Sequence, residues 1–261
     1  MRRFIQLQRR WCESFDKLLP AEWHVDGNRE FVERVAGGYL FPEAVVYDIG
    51  GGKHPLINPE LKNRLNLRVV GVDIDAAELA AAPAGCYDRR DCADILAYSG
   101  DGAADVVVCQ ALLEHVHDVE RALGAIAATL KTGGVGLVFV PSRNAVFARL
   151  NLILPQAVKR ALLHRLFPSS RGKQGFPAFY DRCTPAAMTA AAARQGLKVA
   201  ERRLYFQSKY FSFFLPLHVA WRLWQVVFHR IAGAEAAETF TLVLRKPLTE
   251  HVRSGIAAIS H

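Results

Sequence analysis

Residues 44 to 54, Ala44-Val45-Val46-Tyr47-Asp48-Ile49-Gly50-Gly51-Gly52-Lys53-His54, constrain this chain more than any other stretch. A β-branched apolar run ends in an acid and then breaks into three consecutive glycines. The run has the length of a buried strand, and the glycines mark its end. Gly50, Gly51 and Gly52 lack Cβ atoms, so their backbone amides can approach a ligand closely. A strand running into a glycine-rich turn is the usual first step of a nucleotide-type site at the carboxyl edge of a parallel sheet. Glycines alone also make plain tight turns, so the rest of the chain must supply the partners.

The downstream pattern supports one α/β unit. Leu67 to Val72 reads as a second strand ending in Asp73-Ile74-Asp75, and residues 76 to 82 as an alanine-rich helix with Asp75 as its N-cap. Asp105 to Cys109 is a further strand, Val119 to Leu130 a helix with one apolar face, and Val135 to Val140 the next strand. Thr184-Pro185 opens a helix that ends at Gly196, and Leu197 to Phe206 and Thr239 to Arg245 read as the closing strands. This alternation implies a parallel sheet with helices on both faces. Ahead of it, residues 1 to 43 read as a helical extension, with a turn at Asp26-Gly27-Asn28 and a short helix from Arg29 closed by Gly37-Gly38. The expected organisation is an extension over 1–43, a main domain over 44–247 with insertions at about 142–183 and 207–237, and a tail over 248–261.

With 261 residues, 51% of them hydrophobic, the chain can build a full core. The five cysteines, Cys12, Cys86, Cys92, Cys109 and Cys183, are scattered and form no Cys-x-x-Cys pair. They read as reduced thiols, with neither a disulfide framework nor a zinc site. Charges at the N-terminus precede no apolar signal core, so a cytoplasmic protein is expected. A net charge of +8 points to an anionic partner.

Four features follow one another in order: the Asp48-x-Gly50-Gly51-Gly52 turn; Asp73, 23 residues beyond Gly50; Asp94-Ile95-Leu96; and the strand ending at Cys109 followed by Gln110 to Asp118. An acid placed like Asp73 can accept hydrogen bonds from both ribose hydroxyls. In this order the chain resembles the class I S-adenosylmethionine-dependent methyltransferases. The likeness runs from about Tyr47 to Pro141, and more loosely to Arg245. It is carried by Asp48-Ile49-Gly50-Gly51-Gly52, Val70-Gly71-Val72-Asp73-Ile74, Asp94-Ile95, Leu112-Leu113-Glu114-His115-Val116 and Leu130-Lys131-Thr132-Gly133-Gly134. The resemblance implies a Rossmann-like, seven-stranded, mostly parallel sheet whose last strand runs antiparallel between the fifth and sixth. It implies that the glycine turn meets the methionine part of the cofactor, that Asp73 holds the ribose, that Asp94 and the Ile95 backbone meet the adenine edge, and that Gln110 sits beside the methionyl group, with Asp48 and Ile74 among the cofactor-binding residues. The chain departs from the family at His54, where a third spaced glycine is common. Pro55 in turn breaks the Gly-x-Gly-x-x-Gly spacing of a dinucleotide site.

A sulfonium methyl needs an in-line nucleophile held close, and a hydroxyl acceptor gains from a general base. His115 and His117, just past the strand of the fourth feature, are the candidate bases; the alternative is that Glu114 and His115 are helix-start residues that satisfy backbone groups. Related quinone methyltransferases suggest a metal role for Glu114 and His115, but no second ligand cluster accompanies them, and no metal is expected.

The insertions bear on the acceptor. From Ser142 to Tyr180 the chain carries Arg143, Arg149, Lys159, Arg160, Arg165, Arg171 and Lys173, and no acid. Gln156 to Phe167 reads as a basic amphipathic helix suited to an anionic membrane. Tyr210 to Phe228 has Arg222 as its one formal charge, but a crossing would place the last strand on the wrong side of a bilayer. After Pro216, His218, Arg222, Gln225 and His229 form a polar stripe on a helix whose apolar face carries Trp221, Trp224, Val227 and Phe228. Buried cap, dimer interface and membrane contact all fit, with aromatic and basic content favouring peripheral contact over 145–167 and 210–231. Gly175 to Cys183 reads as an acceptor-side lid or a connecting loop. Nucleic acid is disfavoured, because no Asn-Pro-Pro-Tyr type signature or appended RNA module is present. The expected activity is methyl transfer from S-adenosylmethionine to a small or lipid-linked acceptor, an oxygen of a saccharide or lipid precursor. A membrane-associated protein that retains the cofactor fold without turnover is the alternative, with RNA methylation behind it. Oligomeric state does not follow from these residues.

Overall fold

The computed structural model describes residues 2–154, 177–208 and 210–248. Seven strands form one sheet: β1 (Val45–Ile49), β2 (Arg68–Asp73), β3 (Arg89–Cys92), β4 (Ala104–Gln110), β5 (Leu130–Pro141), β6 (Lys198–Tyr205) and β7 (Thr239–Arg245), in the order β3-β2-β1-β4-β5-β7-β6. The first five run parallel, and β7 is antiparallel to both β5 and β6. The resemblance implied this sheet, and the chain has it.

Period-two alternation along the central strands builds two cores, one on each sheet face. Val46, Val106, Val108, Leu137 and Phe139 face one way, onto Phe31, Val35, Ile57 and Leu79. Tyr47, Ile49, Val107 and Val138 face the other, onto Leu123, Ile126 and Met188. Those last side chains come from α6 (Val119–Thr129) and α8 (Pro185–Arg194). Each helix starts where its residues can cap it. Asp118 accepts from the Arg121 N–H, and Thr184 from the Ala187 N–H with Pro185 behind it.

On the first face lie α4 (Pro59–Leu65) and α5 (Ala76–Ala80), with Asp75 accepting from the Ala77 and Glu78 N–H groups. Neither α4 nor β3 is read from the sequence: α4 is two turns capped by Asn58, and β3 is Arg-Arg-Asp-Cys, a charged edge strand with no apolar period.

The N-terminal region corrects two expectations. Asp26-Gly27-Asn28 is a helix start, with Asp26 accepting from the Arg29 N–H. The helix also does not stop at Gly37-Gly38: α2 (Gly27–Glu30) runs through a π-helical turn, Phe31–Ala36, into α3 (Gly37–Tyr39). Both glycines keep right-handed backbone, so neither terminates it.

α1 (Arg2–Asp16) lies against α9 (Leu215–Ala232), while α7 (Val146–Ile153) follows β5. The expected amphipathic helix over Gln156 to Phe167 and the tail beyond Leu248 lie outside the described residues. α9 turns its polar stripe inward, with His218, Arg222 and Gln225 buried. Asp16 accepts from His218 Nε2 and Arg222 Nε, both at 2.8 Å. Arg222 also donates to the Phe206 carbonyl at 2.7 Å and to Gln225 at 2.8 Å. Burial pushes the Asp16 carboxyl up, but the His218 and Arg222 bonds outweigh it and hold it below the usual range. Trp221, expected on the outer apolar face, is buried and donates to Glu238 at 3.2 Å. No helix among the described residues is long and apolar enough to cross a membrane.

Candidate functional site

The strand order reverses between β1 and β4, which opens a crevice beyond their carboxyl ends. The glycine turn sits there. Gly50 has φ +80°, and its N–H donates to the Val72 carbonyl at 2.7 Å, locking the turn to β2. Gly51 tolerates no side chain: a Cβ would come within 2.6 Å of the Asp48 carboxylate and the Tyr87 hydroxyl. Gly52 lies beside Asp73 and Glu78.

Asp48 is buried beneath this turn. Its carboxylate accepts from the Leu56 N–H at 2.9 Å and the Tyr87 hydroxyl at 3.4 Å, so it folds the loop back over itself. Burial pushes the carboxyl up to about 6 against those two stabilising bonds, with the charge of Asp73 adding to the rise.

Asp73 closes β2 at the lip of the crevice, half-buried. One carboxylate oxygen accepts from the Asp75 N–H at 2.9 Å, and the other faces Gly52. Burial raises its pKa, and the nearby Asp75 and Glu78 carboxylates add to the rise. An acid crowded by like charge gains from neutral hydroxyl donors, and a ribose diol presents two of them. Ile74, exposed beside it, offers an apolar surface. The Ala93 N–H donates to the Asp73 carbonyl at 2.9 Å, drawing the next turn to this edge. There Asp94 accepts from the Leu96 N–H at 2.9 Å, while Ile95 roots the turn in the core. Gln110 ends β4 and donates to Asn28 at 2.7 Å. Thus Gly50, Gly51, Gly52, Asp73, Ile74, Asp94, Ile95 and Gln110 all lie along the carboxyl edge of β1, β2 and β4 and the turns after them, with Asp48 just below.

His115 and His117 stand on the segment that leaves this edge. A Cβ on Gly50 would lie 3.0 Å from Leu112, so the glycine turn abuts the start of that segment. His115 ends a 3-10 turn, Leu113–His115. Its Nδ1 lies 2.9 Å from the Pro177 carbonyl, and its Nε2 3.8 Å from the Glu114 carboxylate. A carbonyl oxygen only accepts, so Nδ1 carries a proton, and in the neutral ring Nε2 is the basic nitrogen. His117 is exposed and meets Phe179 edge-on, ring centroids 6.3 Å apart. The Glu114 carbonyl accepts from the Phe179 N–H at 2.8 Å and the Tyr180 N–H at 3.0 Å. Residues 177 to 180 are therefore seated on the two-histidine segment; residues 175 and 176 lie outside the described ones. Burial pushes the Glu114 carboxyl up to about 7.

Three parts of the site carry no motif in the sequence. Tyr87 lies in a loop before an unpatterned strand, Asn28 in the N-terminal helix, and Glu114's partners some 65 residues downstream of it. Only the surplus of aromatic residues around Phe179 and Tyr180 hints at the third.

Comparison with known proteins agrees with this geometry. A family model described as a methyltransferase domain matches residues 5–201. The ubiquinone biosynthesis O-methyltransferase of Cupriavidus pinatubonensis is 28% identical over 208 residues, covering 77% of this chain and 78% of the relative. A SAM-dependent methyltransferase from Methanosarcina mazei shares the fold with a TM-score of 0.52 at 18% identity, over 83% of this chain and 98% of that one. So does a geranyl diphosphate C-methyltransferase from Streptomyces coelicolor, solved with Mg2+, geranyl diphosphate and S-adenosyl-L-homocysteine, with a TM-score of 0.54 at 14% identity over 84% and 79% of the two chains. With the glycine turn, Asp73 at the end of β2 and the strand order in place, the chain belongs to the methyltransferase-domain family and is an S-adenosylmethionine-dependent enzyme of the class I fold.

Proposed function

We propose that the protein methylates a hydroxyl oxygen of a small acceptor with a sizeable apolar part, such as a lipid-linked saccharide or lipid precursor. The observation that carries this reading is His115, held by the Pro177 carbonyl on the segment leaving β4, with Nε2 as the nitrogen able to take a proton. The name of the Cupriavidus relative, an O-methyltransferase, supports an oxygen acceptor. Peripheral residence on a membrane belongs to the same proposal, since a lipid-linked acceptor would be met there.

In this reading the glycine turn over Asp48 receives the methionine end, Asp73 the ribose, and Asp94 with the Ile95 backbone the adenine edge. Gln110, anchored by Asn28, borders the methionyl group. Bound in this way, S-adenosylmethionine supplies an electrophilic sulfonium methyl. His115 takes the acceptor's hydroxyl proton on Nε2 as the oxygen gains the methyl, and the buried Glu114 next to it, ionised above its raised pKa of about 7, steadies the imidazolium that results. His117 and Phe179 wall the acceptor side.

The test measures S-adenosylhomocysteine release against hydroxylated acceptors with and without alkyl tails. His115→Gln is expected to lower kcat by about 10²- to 10⁴-fold while cofactor affinity holds. Full activity of His115→Gln would remove the base role. Cofactor binding with no turnover on any hydroxylated acceptor would favour a binding protein instead.

A further inference from the structure

α9 is inside out. A helix on a globular surface ordinarily buries its apolar stripe and shows polar residues to water. Here Arg222 is 0% and Gln225 2% exposed, while Trp224 is 49%, Leu223 58% and Ile231 79% exposed. Leu217 and Val227 are exposed on the same side, and Arg230 at its edge is the one charge there. Contiguous apolar surface of this kind on a soluble face marks an interaction site. The buried hydrogen-bond network fixes the orientation, because rotating α9 would break Arg222 away from Asp16, Phe206 and Gln225.

The neighbours extend the surface. Between α7 and α9 runs an apolar cleft of about 380 Å³, walled by Leu150, Ile153, Leu217 and Trp224 with Arg149 at its rim. Arg149 lies over the Phe228 ring at 5.6 Å, and that ring stacks on Trp224. α1, bonded to the start of α9 through Gln8 and Leu215, adds exposed Phe4, Leu7 and Trp11 among exposed Arg3, Arg9 and Arg10. Glu13 is the one exposed acid of α1, and α7 and α9 contain none.

We infer that the outer face of α9, with the α7 cleft and α1, docks on an anionic lipid bilayer, lying flat in its surface. Charge decides between occupants. A second copy seated by two-fold symmetry would bring the same arginines face to face, and neither α7 nor α9 has an acid to pair with them. An anionic headgroup layer neutralises those arginines, Arg149 among them lying over the Phe228 ring, and the indole of Trp224 suits the boundary between headgroup and chain. A crossing is excluded by topology, because β6 before α9 and β7 after it pair in one sheet. The cleft then takes part of one acyl chain. This deepens the lipid-linked reading above, but its test does not pass through turnover.

Flotation of the full chain with vesicles provides that test. With phosphatidylcholine mixed with phosphatidylglycerol, the protein floats at low salt and is released at high salt; with phosphatidylcholine alone it stays behind. The double variant Trp224→Ser, Ile231→Ser binds about tenfold more weakly, and Arg149→Glu with Arg230→Glu loses the preference for anionic vesicles. Unchanged circular dichroism and calorimetric cofactor binding show that the variants are folded. Absence of flotation by the parent overturns the proposal, as does flotation undiminished by the Trp224 and Ile231 pair. A parent dimer that the same pair converts to monomer, without vesicle binding, assigns the face to a second copy and overturns it too. If flotation holds while no acceptor turns over, the acceptor reading falls and the docking surface stands.

Discussion

In the proposed cofactor mode, Asp73 is the residue that meets the ribose. It stands at the lip of the crevice with one oxygen committed to the Asp75 N–H, and Asp75 and Glu78 crowd its charge. Asp73→Asn keeps the shape but removes the charge that makes its bonds to hydroxyls strong, about 1.5 to 3 kcal/mol each. Calorimetry is expected to show a 10- to 100-fold weaker Kd for S-adenosylmethionine, with thermal stability nearly unchanged. Asp73 is legible in the sequence because strand, acid and distance from Gly50 coincide. The position of Asp48 under the glycine turn is legible, yet its environment is not. Tyr87 is one of the groups that close over it, and a tyrosine 39 positions away in a loop has no spacing rule to announce it.

At the scale of elements, the junction of α1 with α9 is a buried ion pair shared between two helices whose sequences hold no common motif. Arg222 has no exposed surface, and Asp16 joins it to His218. Removing one partner of such a pair leaves a buried charge uncompensated and costs about 3 to 5 kcal/mol. Arg222→Ala should therefore lower the urea midpoint strongly. Arg222→Met with Asp16→Leu, which removes both charges, should recover most of the loss. The polar stripe of α9 is plain in the sequence, with His218, Arg222, Gln225 and His229 at helical spacing. Its direction is not, because periodicity defines a face without saying which way it turns, and the acid that draws it inward lies about 200 residues earlier. The same limit explains the missed β3, where three charged residues and a cysteine form a strand only because β2 offers an edge.

For the whole molecule, three buried carboxyls set a pH dependence. Burial is the first cause in each: Asp48 is pushed up to about 6, and Glu114 and Glu238 to about 7, from ordinary values of 3.8, 4.5 and 4.5. A carboxyl whose folded pKa lies above its unfolded one holds its proton longer in the native state. The stability this contributes is present at low pH and is lost as pH rises through the folded value, here between about 4 and 7, on the order of 3 kcal/mol per group. Denaturant titrations are expected to show this decline, and Glu238→Gln to flatten its upper part. A stability that climbed across that window would contradict the burial of these three groups. The fold as a whole was the most legible level: alternating strands and helices carry the parallel core, and the resemblance supplied the order of the last strands, which no local pattern encodes.

That order has a consequence for how the chain is made. β7 sits between β5 and β6, yet of the seven described strands it leaves the ribosome last. Until it emerges, β5 has an open edge, β6 has no partner, and α9 has appeared with both its charged side and its greasy side uncovered. Five parallel strands can assemble during synthesis, but the sheet closes only when Thr239–Arg245 inserts between two waiting edges. Chaperone dependence, and any loss to aggregation, should concentrate in that interval, so that truncations just short of β7 accumulate as insoluble protein while those just beyond it remain in solution.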